Sequence, residues 1–255
     1  MLYNHIWQMK NNKTIVLFLI LIPVLVLIFN SCTEDDNTPP TLVTDSITDI
    51  DGNVYKTVKI GNTWWMTENL KTQRYRNGDS ISYIPQNAQD TAWSNCKTGA
   101  YCAFEEKYGF LYNFYSISDP RGIAPQGWHI PDDDEWKELE MFLGMTKEEA
   151  DSMNWRGNDQ GNKLKIEGGN TTYWAKSSDQ YTIFGTNESG FTAIGSACRI
   201  FTGQWGEITH SGFWWTSSWL SENEACYRGL DYDKSNVFRY YGPKNYGFSV
   251  RCVKD

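Results

Sequence analysis

Aromatic side chains set the first constraint on this chain. Twelve tryptophans, fifteen tyrosines and twelve phenylalanines are spread over 255 residues in short segments. That much ring surface is too costly to leave in water, so it demands a packed core and excludes a disordered polymer. Only one stretch is continuously apolar, which excludes a polytopic membrane protein, and the 21 glycines follow no collagen-like period. With 23 Lys and Arg against 31 Asp and Glu, a net charge of −8 and a pI near 5.0, the chain lacks the basic footprint of a nucleic-acid binder.

The apolar stretch, residues 14–29 (TIVLFLILIPVLVLIF), follows Lys10 and Lys13 and ends at Asn30, Ser31 and Cys32. Sixteen residues interrupted by Pro23 fall short of the ~20 that span a bilayer. The order of basic flank, apolar run and small residue is that of an export signal rather than of a membrane anchor. Met9 opens the sequence MKNNK, a more typical start for such a signal than Met1. Ser31-Cys32 resembles a bacterial lipobox, whose cysteine carries the lipid and becomes the mature N-terminus, although Phe29 and Asn30 depart from the usual residues. Residues 1–31 are therefore read as a lipoprotein signal peptide, Cys32 as the lipidation site and residues 32–46 as a flexible tether. Glu34, Asp35 and Asp36 resemble the acidic surface-export signal of lipoproteins in Bacteroidetes-like bacteria. That resemblance implies a lipid anchor in the outer membrane, facing the cell surface. The leader holds Lys10, Lys13 and no acid, so its removal takes the net charge from −8 to −10.

An exported chain permits disulfides. Cys96 and Cys102 lie close enough in sequence to staple one loop, and Cys226 is expected to pair with Cys252, leaving Cys198 free; Cys198 with Cys252 is the alternative. No CxxC and no cysteine near a histidine suggests a metal site.

Val54–Ile60 alternates between Asp51-Gly52 and Gly61-Asn62 and reads as a strand, with Trp64–Met66 as its hairpin partner. Residues 71–107 read as a long ordered loop. Asp132 caps a helix with Glu135 at its third position, Trp136, Leu139, Phe142 and Leu143 share one face, and Gly144 ends it. Thr146 with Glu149 starts a second, shorter helix, and no helix is expected beyond Asn154. Segments 213–218, 225–231, 237–241 and 248–253 read as an antiparallel meander. In the last, Phe248, Val250 and Cys252 oppose Ser249, Arg251 and Val253, which places it inside a sheet. The expected class is α+β, with one or two short helices on a twisted antiparallel sheet and long loops.

Five segments in order resemble the Fibrobacter succinogenes major paralogous domain family: DIDGNVYKTVKIGNTWWMTENLKT (49–72), YGFLYNFYS (108–116), APQGWHIPDDDEWKELE (124–140), GFWWTSSW (212–219) and YGFSVRCVKD (246–255). The resemblance covers residues 47–255, taken as one domain, and implies a secreted or lipid-anchored surface protein. The order of GWHIP, acidic helix, paired tryptophans and terminal GFSVRC also resembles the C-type-lectin-like fold, including relatives of formylglycine-generating enzymes. The EPN, QPD and WND strings of calcium-dependent lectins are missing.

Candidate chemistry is sparse. Asp132, Asp133, Asp134 and Glu135 fit a helix first turn better than a cation site, and Asp231 and Asp233 with Glu222 and Glu224 form a second acidic group. Calcium is the one cofactor these groups leave open; no other metal or cofactor is expected. His129 reads as a structural histidine, and no hydrolase, zinc-protease, P-loop or dinucleotide motif occurs, so no catalytic residue is assigned. Trp64, Trp65, Trp128, Trp136, Trp214 and Trp215 lie in apolar segments and are assigned to the core. Trp93, Trp155, Trp174, Trp205 and Trp219 sit in polar surroundings and are the candidate ligand contacts. The loops between 155 and 210, with Asp90 to Tyr101, would carry the ligand surface.

The expected function is that of a non-catalytic binding or adhesion module for glycans or a protein partner, held to the membrane by lipid. The alternatives are an extracytoplasmic enzyme acting on polysaccharides or resembling formylglycine-generating oxidases, and a purely structural envelope component. Cys32→Ala is expected to move the protein from the membrane to the soluble fraction on detergent-free fractionation; persistence with membranes would refute the lipid anchor.

Overall fold

The computed structural model describes residues 41–88, 90–168, 172–175, 185–206 and 208–255. The leader, Cys32 and the tether up to residue 40 lie outside the described residues, as do parts of the 155–210 loops. Pro40–Asp255 forms one compact unit.

Twelve strands and five short helices are described. They are β1 Thr44–Thr48, β2 Val54–Ile60, β3 Thr63–Met66, β4 Ser82–Tyr83, α1 Asp90–Ser94, β5 Ala100–Cys102, β6 Leu111–Tyr112, α2 Phe114–Ile117 and β7 Trp128–His129, followed by α3 Asp133–Phe142, α4 Lys147–Asp151, β8 Asn154–Arg156, α5 Gln160–Leu164, β9 Ser211–Trp219, β10 Glu224–Asp231, β11 Val237–Pro243 and β12 Val253–Lys254. Three sheets result, with orders β1-β2-β3-β12-β7, β8-β11-β10-β9 and β4-β5-β6. All pairings are antiparallel except the two-residue contact of β4 with β5. The class is sheet-dominated α+β, as the patterning implied.

The opening hairpin forms as expected. Ile60 pairs with Thr63 across Gly61-Asn62, and Gly61 adopts φ +60°, which a β-branched residue resists. Both capping boxes also form: Asp132 with Glu135 at the start of α3, and Thr146 with Glu149 at the start of α4. One face of α3 differs from expectation. Phe142 is 63% exposed, because at 100° per residue it falls about 120° away from Trp136, whereas Glu140 falls beside it and is fully buried. Helix α5 lies beyond Asn154, where none was expected, and the stretch 71–107 contains β4, α1 and β5 rather than a loop alone.

The first three segments of the expected meander are β9, β10 and β11. The fourth is not their neighbour in a meander. Phe248–Val253 threads between the sheets: Phe248 exchanges backbone bonds with Tyr112, Ser249 joins Phe213 and Trp215, and Val253 pairs with Trp65 and His129. Its alternation is as expected. Phe248, Val250 and Cys252 enter one core cluster with Tyr112, Phe114 and Trp215, while Val253 enters a second with Trp65, Trp136 and Trp214. A segment with two buried faces fits between layers better than at the end of a sheet.

Neither expected disulfide is present, and all five described cysteines are free. Cys96 directs its sulfur to the Thr98 carbonyl at 3.2 Å, and Cys102 is fully buried near Arg199. Cys226 faces Asp133 at 3.2 Å, while Cys252 lies in the first core cluster, so the two sulfurs occupy different environments. Burial pushes the Cys198 and Cys226 thiols up to about 11 and that of Cys102 up to about 12, which leaves them poor nucleophiles.

Beneath β10 and β11 runs a buried charge network. Glu140 accepts from Arg156 Nη2 and, at 2.8 Å, from Arg228 Nε; Asp133 accepts from Arg228 Nη1 at 2.8 Å and Arg239 Nη2 at 2.6 Å. Burial alone would raise the Asp133 carboxyl, but the two arginines outweigh it and hold it well below the usual range. Glu140→Gln would leave two buried guanidinium groups short of charge. It is expected to destabilise the fold by about 3–5 kcal/mol in denaturant titration; a loss below about 1 kcal/mol would show that the network is dispensable.

Candidate binding surface

The sheet β8-β11-β10-β9 has two chemically distinct faces. Alternation along β10 sends Cys226, Arg228 and Leu230 towards α3, and Tyr227 and Gly229 to the opposite side. Register then aligns the aromatic residues. Tyr227 stands between Trp215 and Tyr240, Gly229 stands between Phe213 and Phe238, and Phe238 faces Trp155 on β8.

These rings touch in sequence. Trp155 meets Phe238 at 5.1 Å between centroids, Phe238 meets Tyr240 at 5.9 Å and Tyr227 at 6.0 Å, and Tyr227 meets Phe213 at 5.9 Å. Buried Phe248 lies 4.8 Å from Tyr227 and 5.2 Å from Tyr246, which in turn meets Phe201 at 6.0 Å. The arc is buried at its Trp215–Phe248 centre and emerges outward: Tyr240 is 44% exposed, Phe201 is exposed, and Trp155, Phe213, Tyr227, Phe238 and Tyr246 are half-buried. Two glycines let the rings close up. A Cβ on Gly229 would lie 3.0 Å from the Phe213 ring, and one on Gly242 would lie 2.8 Å from the Tyr246 ring. Lys234 is the one basic group placed over an arc ring among the described residues, 5.7 Å from the centroid of Trp155.

The candidate tryptophans separate into two groups. Trp93 and Trp174 are core residues rather than surface contacts, because their indole N–H groups are held by the carbonyls of Asn245 (2.7 Å) and Ala193 (3.0 Å). Trp155, Trp205 and Trp219 reach the surface: Trp155 in the arc, Trp205 half-buried beside Phe104 at 6.1 Å, and Trp219 64% exposed with Lys244 5.0 Å over its ring. The six tryptophans assigned to the core are buried except Trp64, which is half-buried against the first cluster. Phe238, Tyr240 and Tyr227 escaped the sequence reading. The signal was present, since Phe213 and Trp215 on β9 and Phe238 and Tyr240 on β11 occupy alternate positions, but the pairing register that joins them through Tyr227 on β10 is not local.

Apart from the arc, a concavity of about 250 Å³ is lined by Asn69, Lys71, Lys107, Tyr173 and Arg251 among others. Its charges are largely spoken for: Lys71 pairs with Glu106 at 2.8 Å and Lys107 with Glu105 at 2.9 Å. Arg251 is fully buried on Asn69 Oδ1 at 2.8 Å and the carbonyls of Met66, Phe191 and Thr192. Without a carboxylate in contact, burial pulls its guanidinium down to about 9 against the weaker field of Glu68. It acts as a rivet between chain segments.

The acidic groups do not converge on a cation. Asp133 is occupied by arginines, while Glu224 and Asp231 stand at opposite ends of β10, roughly 23 Å apart at about 3.3 Å per residue. Among the described residues no three His, Cys, Asp or Glu side chains are placed to hold a metal.

A model of the Fibrobacter succinogenes major domain matches residues 58–254. The chain belongs to this family. The match runs from the middle of β2 to the end of β12, so the family's domain takes in the aromatic sheet and the threaded terminal segment. No curated protein and no solved structure matches the chain.

His129 lies in the matched domain between two carboxylates, with Nδ1 2.7 Å from Asp255 and Nε2 2.9 Å from Glu135. Burial opposes its protonation, but the bonds to Asp255 and Glu135 outweigh burial and raise its pKa above 6.5. Its stabilising contribution is therefore complete below the unfolded-state value near 6.5 and fades as pH rises through the folded value. His129→Gln is expected to flatten the pH dependence of the melting temperature between about pH 6 and 8; an unchanged profile would remove His129 as its source.

Proposed function

We propose that this chain is a lipid-anchored cell-surface protein whose domain, from residue 47 to 255, is a non-catalytic binding or adhesion module of C-type-lectin-like fold. The leader and Cys32 support the anchor, and the acidic residues after Cys32 support the outer face of the outer membrane. The observation that carries the binding role is the aromatic arc. Seven partly exposed rings from Trp155 to Phe201 are linked in a chain of contacts that passes through buried Phe248, on a sheet whose other face is fixed by buried ion pairs. Rigid aromatic anchors of this kind bind at low entropic cost. Trp205 and Trp219 are further accessible rings outside the arc, and the ligand class is a glycan or a protein partner. Burial of Cys102, Cys198, Cys226 and Cys252, with no two of the described cysteines bonded, supports a binding module over an oxidase that needs a reactive cysteine pair.

The test is retention of the unit Pro40–Asp255 on a panel of immobilised polysaccharides, neutral and acidic, with reducing ends assayed in parallel. Retention without new reducing ends is expected. Release of reducing ends would overturn the non-catalytic reading, and no retention on any polysaccharide would remove glycans and leave the protein-partner reading.

A further inference from the structure

We propose that the arc from Trp155 through Phe238, Tyr240 and Tyr227 to Phe201 is the contact site for an uncharged glycan chain. The inference rests on the binding-module reading above and names its ligand class.

Size is the first argument. An aromatic side chain carries roughly 200 Å², so seven rings of which none is more than half exposed offer less than roughly 700 Å². A standard protein interface takes about 800 Å² from each partner. The arc is small for a folded protein, but suits a few sugar rings laid side by side.

Charge is the second. A polyanionic glycan needs several cations along its path, and among the described residues one, Lys234 over Trp155, stands over an arc ring, with Asp231 at the end of the neighbouring strand β10. The nearby arginines point the other way: Arg228 and Arg239 are engaged by Asp133 beneath the sheet. The surface that remains is π-faces and hydroxyls. Ring faces are electron-rich and attract the weakly positive C–H faces of sugars, while the phenol of Tyr240 can exchange hydrogen bonds with sugar hydroxyls.

Order is the third argument. Gly229 and Gly242 have no side chain to stand between rings, so Phe213, Phe238, Tyr227 and Tyr246 close into a continuous surface. The ring packing fixes that surface before any ligand arrives, which lowers the cost of binding.

The experiment titrates cellohexaose, xylohexaose and hexagalacturonate into the unit Pro40–Asp255, followed by tryptophan fluorescence and calorimetry. Saturable binding of a neutral hexasaccharide is expected, with an affinity that holds from about 0.05 to about 0.5 M salt because no charge is screened. Tyr240→Ala, at an exposed ring, should weaken it about tenfold. Phe142→Ala, at the exposed ring of α3 outside the arc, should leave it unchanged. Tyr240→Phe separates the ring from its hydroxyl and keeps the test informative should the alanine variant misfold. Binding of hexagalacturonate alone, or a salt-sensitive affinity, would overturn the neutral-glycan inference while leaving the binding module intact. Neutral binding indifferent to Tyr240→Ala would move the site elsewhere, and no binding of either neutral chain would reject the inference.

Discussion

The geometry of this domain hangs on a carboxylate buried between guanidinium groups. Glu140 reaches inward from α3 to Arg156 on β8 and Arg228 on β10, and Asp133, one helical stretch earlier, takes Arg228 and Arg239 on β11. Three neighbouring strands are thereby indexed against one helix. Ion pairs in such a setting contribute less to net stability than their number suggests, since each charge first loses its water. Their value is directional, because a shift by one residue in β10 or β11 would carry an arginine out of reach of its acid and bury an aromatic ring in its place. The same indexing presents Tyr227, Phe238 and Tyr240 together on the far side.

Much of the architecture was legible in the sequence wherever the signal was local. The Gly61-Asn62 turn, the two capping boxes and the alternation of Phe248 to Val253 all involve residues within a few positions of each other, and all are found in the structure. What escaped depended on distant partners. Glu140 and Arg228 look like solvent-facing charges until each supplies the other's counter-charge. Trp93 and Trp174 look exposed in their polar surroundings, yet the carbonyls that take their N–H groups come from Asn245 and Ala193. The expected cysteine pairs failed for a related reason: closeness in chain or in apparent strand order does not decide which way a sulfur points.

The candidate surface was half visible. Trp155 and the neighbourhood of Phe201 fell within the loops singled out from sequence, whereas Phe238 and Tyr240 lie on a regular strand. A pattern of aromatic on one side and arginine on the other inverts the usual reading of a half-exposed strand, in which charge marks the solvent face. Here the charged side is the buried one, because acids from a helix meet it, and the aromatic side runs from core to solvent.

The threaded terminal segment bears on the order of assembly. Phe248 to Val253 fills space in both core clusters and bonds to residues near 66, 70, 112 and 213, so neither cluster is complete without it. Those six positions also come after the other core segments in chain order. A growing chain therefore has no finished core to collapse around until Val253 has been made, and non-local closure of this kind is slow even then. Such a chain stays threadable for as long as it is incomplete, and a product cut short before Phe248 lacks the wedge that holds its sheets together.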